Sequence, residues 1–273
     1  MAQNITLSSS IRANLLSLQN TNSLLNRTSE RLSTGLRVNS ALDDPGAYFA
    51  ARGLNNRAGD LTKLKDNIGQ AIQTIKATDT ALNAITALVE QAQSIVSQAK
   101  AAQANATTAT VISLKADYNK IRSQIHLLIN DADYKGVNLL KLVDLKVTFD
   151  EAGSSKLTVS GVGLKSDLAI TSAVWAVATS SAILVDETKI DDALAELRKV
   201  SAAYGTDLGI IQTREDFTTK FIIGLQEGAG RLIDANLEEE SANLLALQTR
   251  QSLGTTSLSF ANQSQQSILQ LFR

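Results

Sequence analysis

One period governs this chain. Stepping alternately by three and four from Leu61 reaches Leu64, Ile68, Ala71, Ile75, Thr78, Leu82, Ile85, Val89, Ala92, Val96 and Ala99, and eleven of these twelve positions are apolar. A repeat averaging 3.5 residues keeps one stripe of a helix facing the same partner over its whole length, so this stretch reads as a coiled-coil seam. "QANATTAT" (Gln103–Thr110) interrupts it and reads as a turn. A second seam follows at Val111, Leu114, Tyr118, Ile121, Ile125 and Leu128. A third begins at Ile190 and runs to Leu232, with polar residues at Ser201, Glu215 and Thr218. Packed helices with apolar stripes of this length predict a mainly α chain. Aromatic residues at 4% and a single proline suit long helices better than a compact mixed fold.

Between these helices the period fails. "LKVTFD" and "SKLTVSG" alternate apolar and polar residues around "EAGS", the pattern of a hairpin. For "VGLKSDLAITSAVWAVATSSAILV" (Val162–Val185) strand, loop and short helix all fit. The middle is therefore a small, partly β insertion between two helical arms.

The two chain ends share a further property. The stretch from Ser252 to Phe272 contains no Asp, Glu, Lys or Arg, and residues 1–26 carry one charge, Arg12. Seam positions fall at Ile11, Leu15, Leu18, Asn22, Leu25, Ser29 and Leu32. At the other end they fall at Leu244, Leu247, Gln251, Gly254, Leu258, Ala261, Gln265, Ile268 and Phe272. Buried amides among apolar slots fix register and partner number at some expense of stability. Helices this poor in large apolar side chains do not hold order alone in water. An uncharged tail can be surrounded on several sides without stranding ions, which suits a multi-chain core.

Other function classes find little support. The net charge of −1 argues against nucleic acid and anionic membranes as partners. No run of about 18 apolar residues is present to span a bilayer, and Met1–Leu18 lacks the basic and apolar blocks of a Sec-type signal. Without cysteine there are no disulfides or thiolate metal sites. His126 is the only histidine, in "SQIHLLIND", and reads as a satisfied or solvent-facing helix residue. "GLQEGAGRL" lies within a helical seam and lacks the strand that precedes a phosphate loop. "LEEES" (Leu237–Ser241) reads as a solvated helix start. No catalytic residue, cofactor or metal is expected. Gly35 is placed to end a helix in the left-handed conformation, Asp44 to cap the next, and Pro45 to occupy its first turn.

"RLSTGLRVNSALDDPGAYFAARGL" (Arg31–Leu54), "ALNAI" (Ala81–Ile85), "DYKGVNLL" (Asp133–Leu140) and "FANQSQQSILQLF" (Phe260–Phe272) resemble, in order, the terminal blocks of bacterial flagellins. The resemblance covers about residues 1–143 and 186–273, and its C-terminal block is most similar to short alphaproteobacterial flagellins. It implies a division into terminal helices (1–39 with 234–273) that line a filament core, a helical rod body (40–143 with 186–233) and a surface insertion (144–185). It implies self-assembly through Ile11, Leu15, Leu18, Leu25, Leu32, Leu244, Leu247, Leu258, Ala261, Ile268 and Phe272. By the same resemblance the partners are copies of the chain itself, the flagellar export apparatus, a chaperone, and the cap and junction proteins, and the product is a secreted, extracellular filament for swimming. Relative to the helical patch that an animal immune receptor recognises in many flagellins, Gln91 stands where that pattern has arginine and Ile95 where it has leucine. Two other readings remain: a hook–filament junction protein, and a flagellin-like surface carbohydrate-binding protein, for which Trp175 and Tyr204 are the rings available to stack on sugar.

Overall fold

A computed structural model describes residues 9–105, 108–175 and 180–271. In chain order the elements are α1 (Ser9–Thr34), α2 (Pro45–Asn105), α3 (Thr108–Asp131), β1 (Leu145–Thr148), β2 (Lys156–Val159), α4 (Leu164–Asp167), α5 (Ser180–Ile233) and α6 (Leu237–Leu271). The chain is mainly α, with one small two-stranded sheet among the described residues. It divides into two compact units. One holds the described residues up to Arg57 together with those from Gly224 on; the other is Ala58–Ile223.

In the second unit the sequence period becomes the core. Eleven of the twelve positions from Leu61 to Ala99 are buried, and Leu64 is half-buried. Thr78, the polar member, is tolerated because its hydroxyl donates to the Thr74 carbonyl one turn back (3.0 Å), and Thr74 does the same to Gln70. Burying a hydroxyl with its bond made inside the helix avoids the penalty of an unpaired group. On α5, Thr218 bonds the Arg214 carbonyl at 2.8 Å, and Ser201 donates to Asp79 of α2 at 3.3 Å. α2 and α5 run antiparallel, joined by Gln93 to Asp191 (2.7 Å) and Lys100 to Glu187 (2.7 Å). From α3, Val111, Tyr118, Ile121 and Ile125 enter the same core. Of the turn expected at Gln103–Thr110, Ala106 and Thr107 lie outside the described residues, with helix on either side.

The hairpin forms as read. Leu145 pairs with Val159 and Thr148 with Lys156, antiparallel. The Asp150 carboxylate closes its loop by accepting from the Ser154 and Ser155 amides, and the Ser154 hydroxyl bond holds its pKa below the ordinary range. "DYKGVNLL" is a two-residue turn: Tyr134 and Val137 exchange both backbone bonds around Lys135 and Gly136, both at positive φ (51° and 82°). That is the type I′ geometry. The Asn138 side chain then donates to the Ile129 carbonyl at the end of α3 and accepts from the Leu140 amide. The open segment resolves into the single turn of α4 and an extended run. That run is pinned to α3 by Arg122 donating to Ile170 and by the Ala173 amide donating to Asn119. Residues 176–179 lie outside the description, and helix resumes at Ser180.

At the end of that run Trp175 is buried and donates its indole N–H to Asp186 at 2.8 Å, with Tyr118 at 5.1 Å between ring centroids. Burial pushes the Asp186 carboxyl above its ordinary value of 3.8, against the opposing pull of the indole bond and of Lys189. An acid whose folded pKa is raised binds its proton more tightly in the folded chain. It therefore withdraws stability as pH rises from the unfolded value through the folded one. Asp186→Asn keeps an acceptor for Trp175 and removes the charge. The ion pair it sacrifices, to a partly exposed Lys189 at 3.9 Å, contributes little. The variant is expected to melt about 2–4 °C above the parent at pH 7, with the gap closing at pH 3. A lower melting point at pH 7 refutes this account.

Candidate assembly surface

The first unit is built on the pairing of the two uncharged ends. α1 ends at Thr34, where Gly35 takes φ 72° and donates its amide to the Arg31 carbonyl at 2.8 Å. The backbone then bridges Leu36 to Asp234, the Arg37 and Val38 amides donate to the Ile233 carbonyl, and the Ala235 amide donates to Gly35. Asp44 caps α2 through the Ala47 amide (3.0 Å), with Pro45 in the first turn. Asn236 caps α6 by accepting from the Glu238 and Glu239 amides. In "LEEES", Glu238 and Glu239 are exposed as expected. Glu240 is not: it is buried and meets Arg31 of α1 at 3.0 Å, because the antiparallel pairing closes over it.

Three contacts set the register of α1 against α6. Arg31 meets Glu240, Asn22 accepts from the Gln251 side-chain amide at 2.7 Å, and Leu18 packs on Gly254. A Cβ at Gly254 would lie 2.8 Å from Leu18 Cδ2, so the glycine lets the helices approach. Thus two of the three amides noted in the sequence, Asn22 and Gln251, lie on facing helices and bond each other, with Gly254 packed beside them, and the Gln265 side chain lies outside the described residues.

On α6, Leu244, Gln251, Gly254, Leu258 and Ala261 are half-buried and Leu247 is buried, while the residues between them are exposed. The side chain of Ile268 and all of Phe272 lie outside the described residues. On α1, Ile11 is buried and Leu18, Leu25 and Leu32 are half-buried, but Leu15 is 45% exposed. Asn22 and Ser29 are also exposed, and the covered positions between the leucines are Thr21 and Thr28 instead. The helix presents the stripe three residues, not four, after Leu18 and Leu25.

Sequence periodicity missed the outward apolar side chains. Leu16, Leu24, Leu245, Leu253 and Phe260 are exposed, several by more than half. Their signal is compositional: large apolar residues off the seam in helices without a charged face.

The remaining candidates do not assemble into a site. Gln91 is exposed and Ile95 half-buried against the core. Trp175 and Tyr204 are buried and so cannot stack on sugar. Tyr204 donates to the Leu139 and Ser160 carbonyls, and burial pushes its phenol up to about 12. His126 is half-buried, and its Nδ1 meets no hydrogen-bond partner among the described residues. Burial first, then the positive Arg122 and Lys165, holds its pKa below the ordinary value. Among the described residues no His, Asp or Glu cluster could hold a metal, and no helix is long and apolar enough to cross a membrane.

Comparison with known proteins gives consistent matches. Residues 5–143 match the bacterial flagellin N-terminal helical region, and residues 188–272 the bacterial flagellin C-terminal helical region. Over 270 residues the chain is 33% identical to flagellin FljM of Caulobacter vibrioides, covering 95% of this chain and 96% of that one. It is 32% identical to a flagellin of Brucella melitensis over the full length of both. A crystal structure of Bacillus cereus flagellin aligns with a TM-score of 0.48 at 19% identity, over 56% of this chain and 88% of that chain.

Proposed function

This chain belongs to the bacterial flagellin family and is a structural subunit of the extracellular flagellar filament rather than an enzyme, and on that premise we propose which of its surfaces build the polymer. The assembly helices are residues 1–39 and 234–273. Ile11, Leu18, Leu25, Leu32, Leu244, Leu247, Leu258 and Ala261 hold α1 to α6, and Leu15 faces a neighbouring copy. The sequence period carries the same register on through Ile268 and Phe272. Residues 40–143 with 186–233 form the rod body, and 144–185 the outer insertion, small enough to leave a slim filament.

One observation carries this reading. The paired helices turn Leu15, Leu16, Leu24, Leu245, Leu253 and Phe260 outward on a surface almost without charge. Burying such side chains against further copies contributes about 1.5–3 kcal/mol for each large one. Charged residues there would have to be desolvated; Ser, Thr, Asn and Gln can bond one another instead. We further infer export through the flagellar secretion apparatus with a chaperone, and contact with cap and junction proteins. Electron microscopy of the purified chain, seeded or salted, tests the reading: filaments support it, and a chain that stays monomeric at high concentration overturns it.

The exposed Gln91 further sets this chain apart from flagellins that animal receptors detect through arginine. A neutral amide lacks the charged two-pronged fork of guanidinium. The monomer is expected to activate receptor-bearing reporter cells at least about tenfold less potently than an arginine-bearing flagellin, the equivalent of ~1.4 kcal/mol. Equal potency at equal dose refutes this.

A further inference from the structure

The turn between α1 and α2 is rigid and carries a bare leucine. Leu42 is 96% exposed, the most exposed of the large apolar side chains described. Its loop has little freedom. The Asp43 carboxylate accepts from the Asn39 amide (3.1 Å), the Ser40 amide (3.0 Å) and the Ser40 hydroxyl (3.2 Å), and the Leu42 amide donates to the Ser40 hydroxyl. The Asn39 side chain also ties the loop to Glu30 of α1 at 3.1 Å. A large apolar group held rigidly in water by a dedicated set of hydrogen bonds is a preorganised anchor, since little conformational freedom is left to lose on docking.

The Ala58–Ile223 unit carries a matching receptacle. A cleft of about 290 Å³ opens between α2, the Lys135–Gly136 turn and β1, floored by Leu64, Ala71, Val137 and Val147. That is ample for a leucine with its flanking backbone, since an engineered cavity of roughly 150 Å³ already holds a benzene-sized guest. Charge agrees as well. Leu42 is followed by Asp43 and Asp44, whereas the cleft is rimmed by Lys135 and Lys146, both exposed. An apolar knob in one unit and a receptacle in the other, paired between copies, make a head-to-tail contact of the heterologous kind from which open filaments are built.

We propose that Leu42 of one subunit docks into the Leu64–Ala71–Val147 cleft of another copy of this chain, with Asp43 and Asp44 facing Lys135 and Lys146. The inference rests on the filament-subunit reading and adds a specific contact continuous, through Asn39 and Glu30, with the helical assembly surface.

The test uses the full chain, with parental filament formation as the check on the underlying reading. Leu42→Asp is expected to raise the critical concentration for polymerisation at least about tenfold, and Lys146→Glu by a smaller factor. Both should leave monomer circular dichroism and melting unchanged, because both side chains are exposed. The chain has no cysteine, so cross-linking is clean. A one-to-one mixture of Leu42→Cys and Thr148→Cys subunits, co-assembled and oxidised, should give a covalent dimer that neither variant gives alone. If parental filaments form but Leu42→Asp polymerises at the parental concentration, or the mixture yields no mixed dimer, the proposed contact is wrong while the filament reading stands. If the parent itself does not polymerise, both fall.

Discussion

Deleting Ser252–Arg273 is expected to leave a folded, helical monomer that forms no filaments at any accessible concentration. The deleted segment holds Gly254, Leu258 and Ala261 of the α6 stripe, and with them the outward-facing Leu253 and Phe260. What remains of α6 keeps its Asn236 cap, Leu247 and the Glu240–Arg31 pair. The core of residues 58–223 is a separate compact unit and loses nothing. A sharper version is Leu258→Asp. Leu258 is half-buried beside residues that carry no charge to pair with a carboxylate. An uncompensated buried charge costs about 3 kcal/mol or more, which corresponds to roughly a hundredfold rise in critical concentration. The checks are sedimentation of polymer across a concentration series and thermal melting of the monomer. Filaments from the truncated chain would remove the tail from the assembly mechanism. A large loss of monomer melting temperature would show instead that the tail stabilises the body.

The second large effect is expected at the base of the hairpin. Gly161 passes so close to the preceding strand connection that an added Cβ would lie 2.4 Å from the Val143 amide nitrogen and 2.6 Å from its carbonyl oxygen. Both neighbours are backbone, so no side chain can rotate away. The surrounding segment is held on each side: the Gly161 amide donates to Asp144 (3.0 Å), and the Val162 amide to the Leu139 carbonyl (2.7 Å). Tyr204 of α5 bonds the Leu139 and Ser160 carbonyls from the other face. Gly161→Ala must therefore move backbone that several bonds fix, and it is expected to destabilise the chain by about 3 kcal/mol, the upper end for overpacked substitutions. Gly205→Ala in the middle of α5 is the control. No described residue lies within 4 Å of its added Cβ, and alanine in a helix interior is expected to stabilise by roughly 0.5–1 kcal/mol. Denaturant unfolding midpoints that order these two variants otherwise would contradict the account.

Much of this was legible in the residues alone. The heptad run from Leu61 to Ala99 announced a buried stripe because helix geometry converts a 3.5-residue period directly into one face. Gly35, Asp44 and Pro45 marked the boundary between α1 and α2 because left-handed backbone, an N-cap and a first-turn proline are local matters, decided by the residues themselves. The alternating strands and the absence of charge at both ends were equally plain, and so were the flagellin-like blocks.

Other features depend on residues far apart in the chain. The phase of the α1 stripe at Thr21 and Thr28, rather than Asn22 and Ser29, is set by where α6 lies. A helix offers both faces within a small rotation, and only the partner chooses between them. Glu240 looked like part of a solvated acidic turn and became buried because Arg31, 209 residues away, arrives to pair with it. Trp175 and Tyr204 looked available to a ligand and became core, since the extended run along α3 and the hairpin base cover them. Leu42 was one apolar residue in a turn until the bonds of Asn39, Ser40 and Asp43 fixed it in solvent. The helices, their caps, their apolar period and the uncharged ends follow from near-neighbour physics and can be read from the residues themselves. Which helix faces meet, which charges are buried and which apolar side chains stay exposed depend on what distant segments bring to the same place, and only the folded chain sets them.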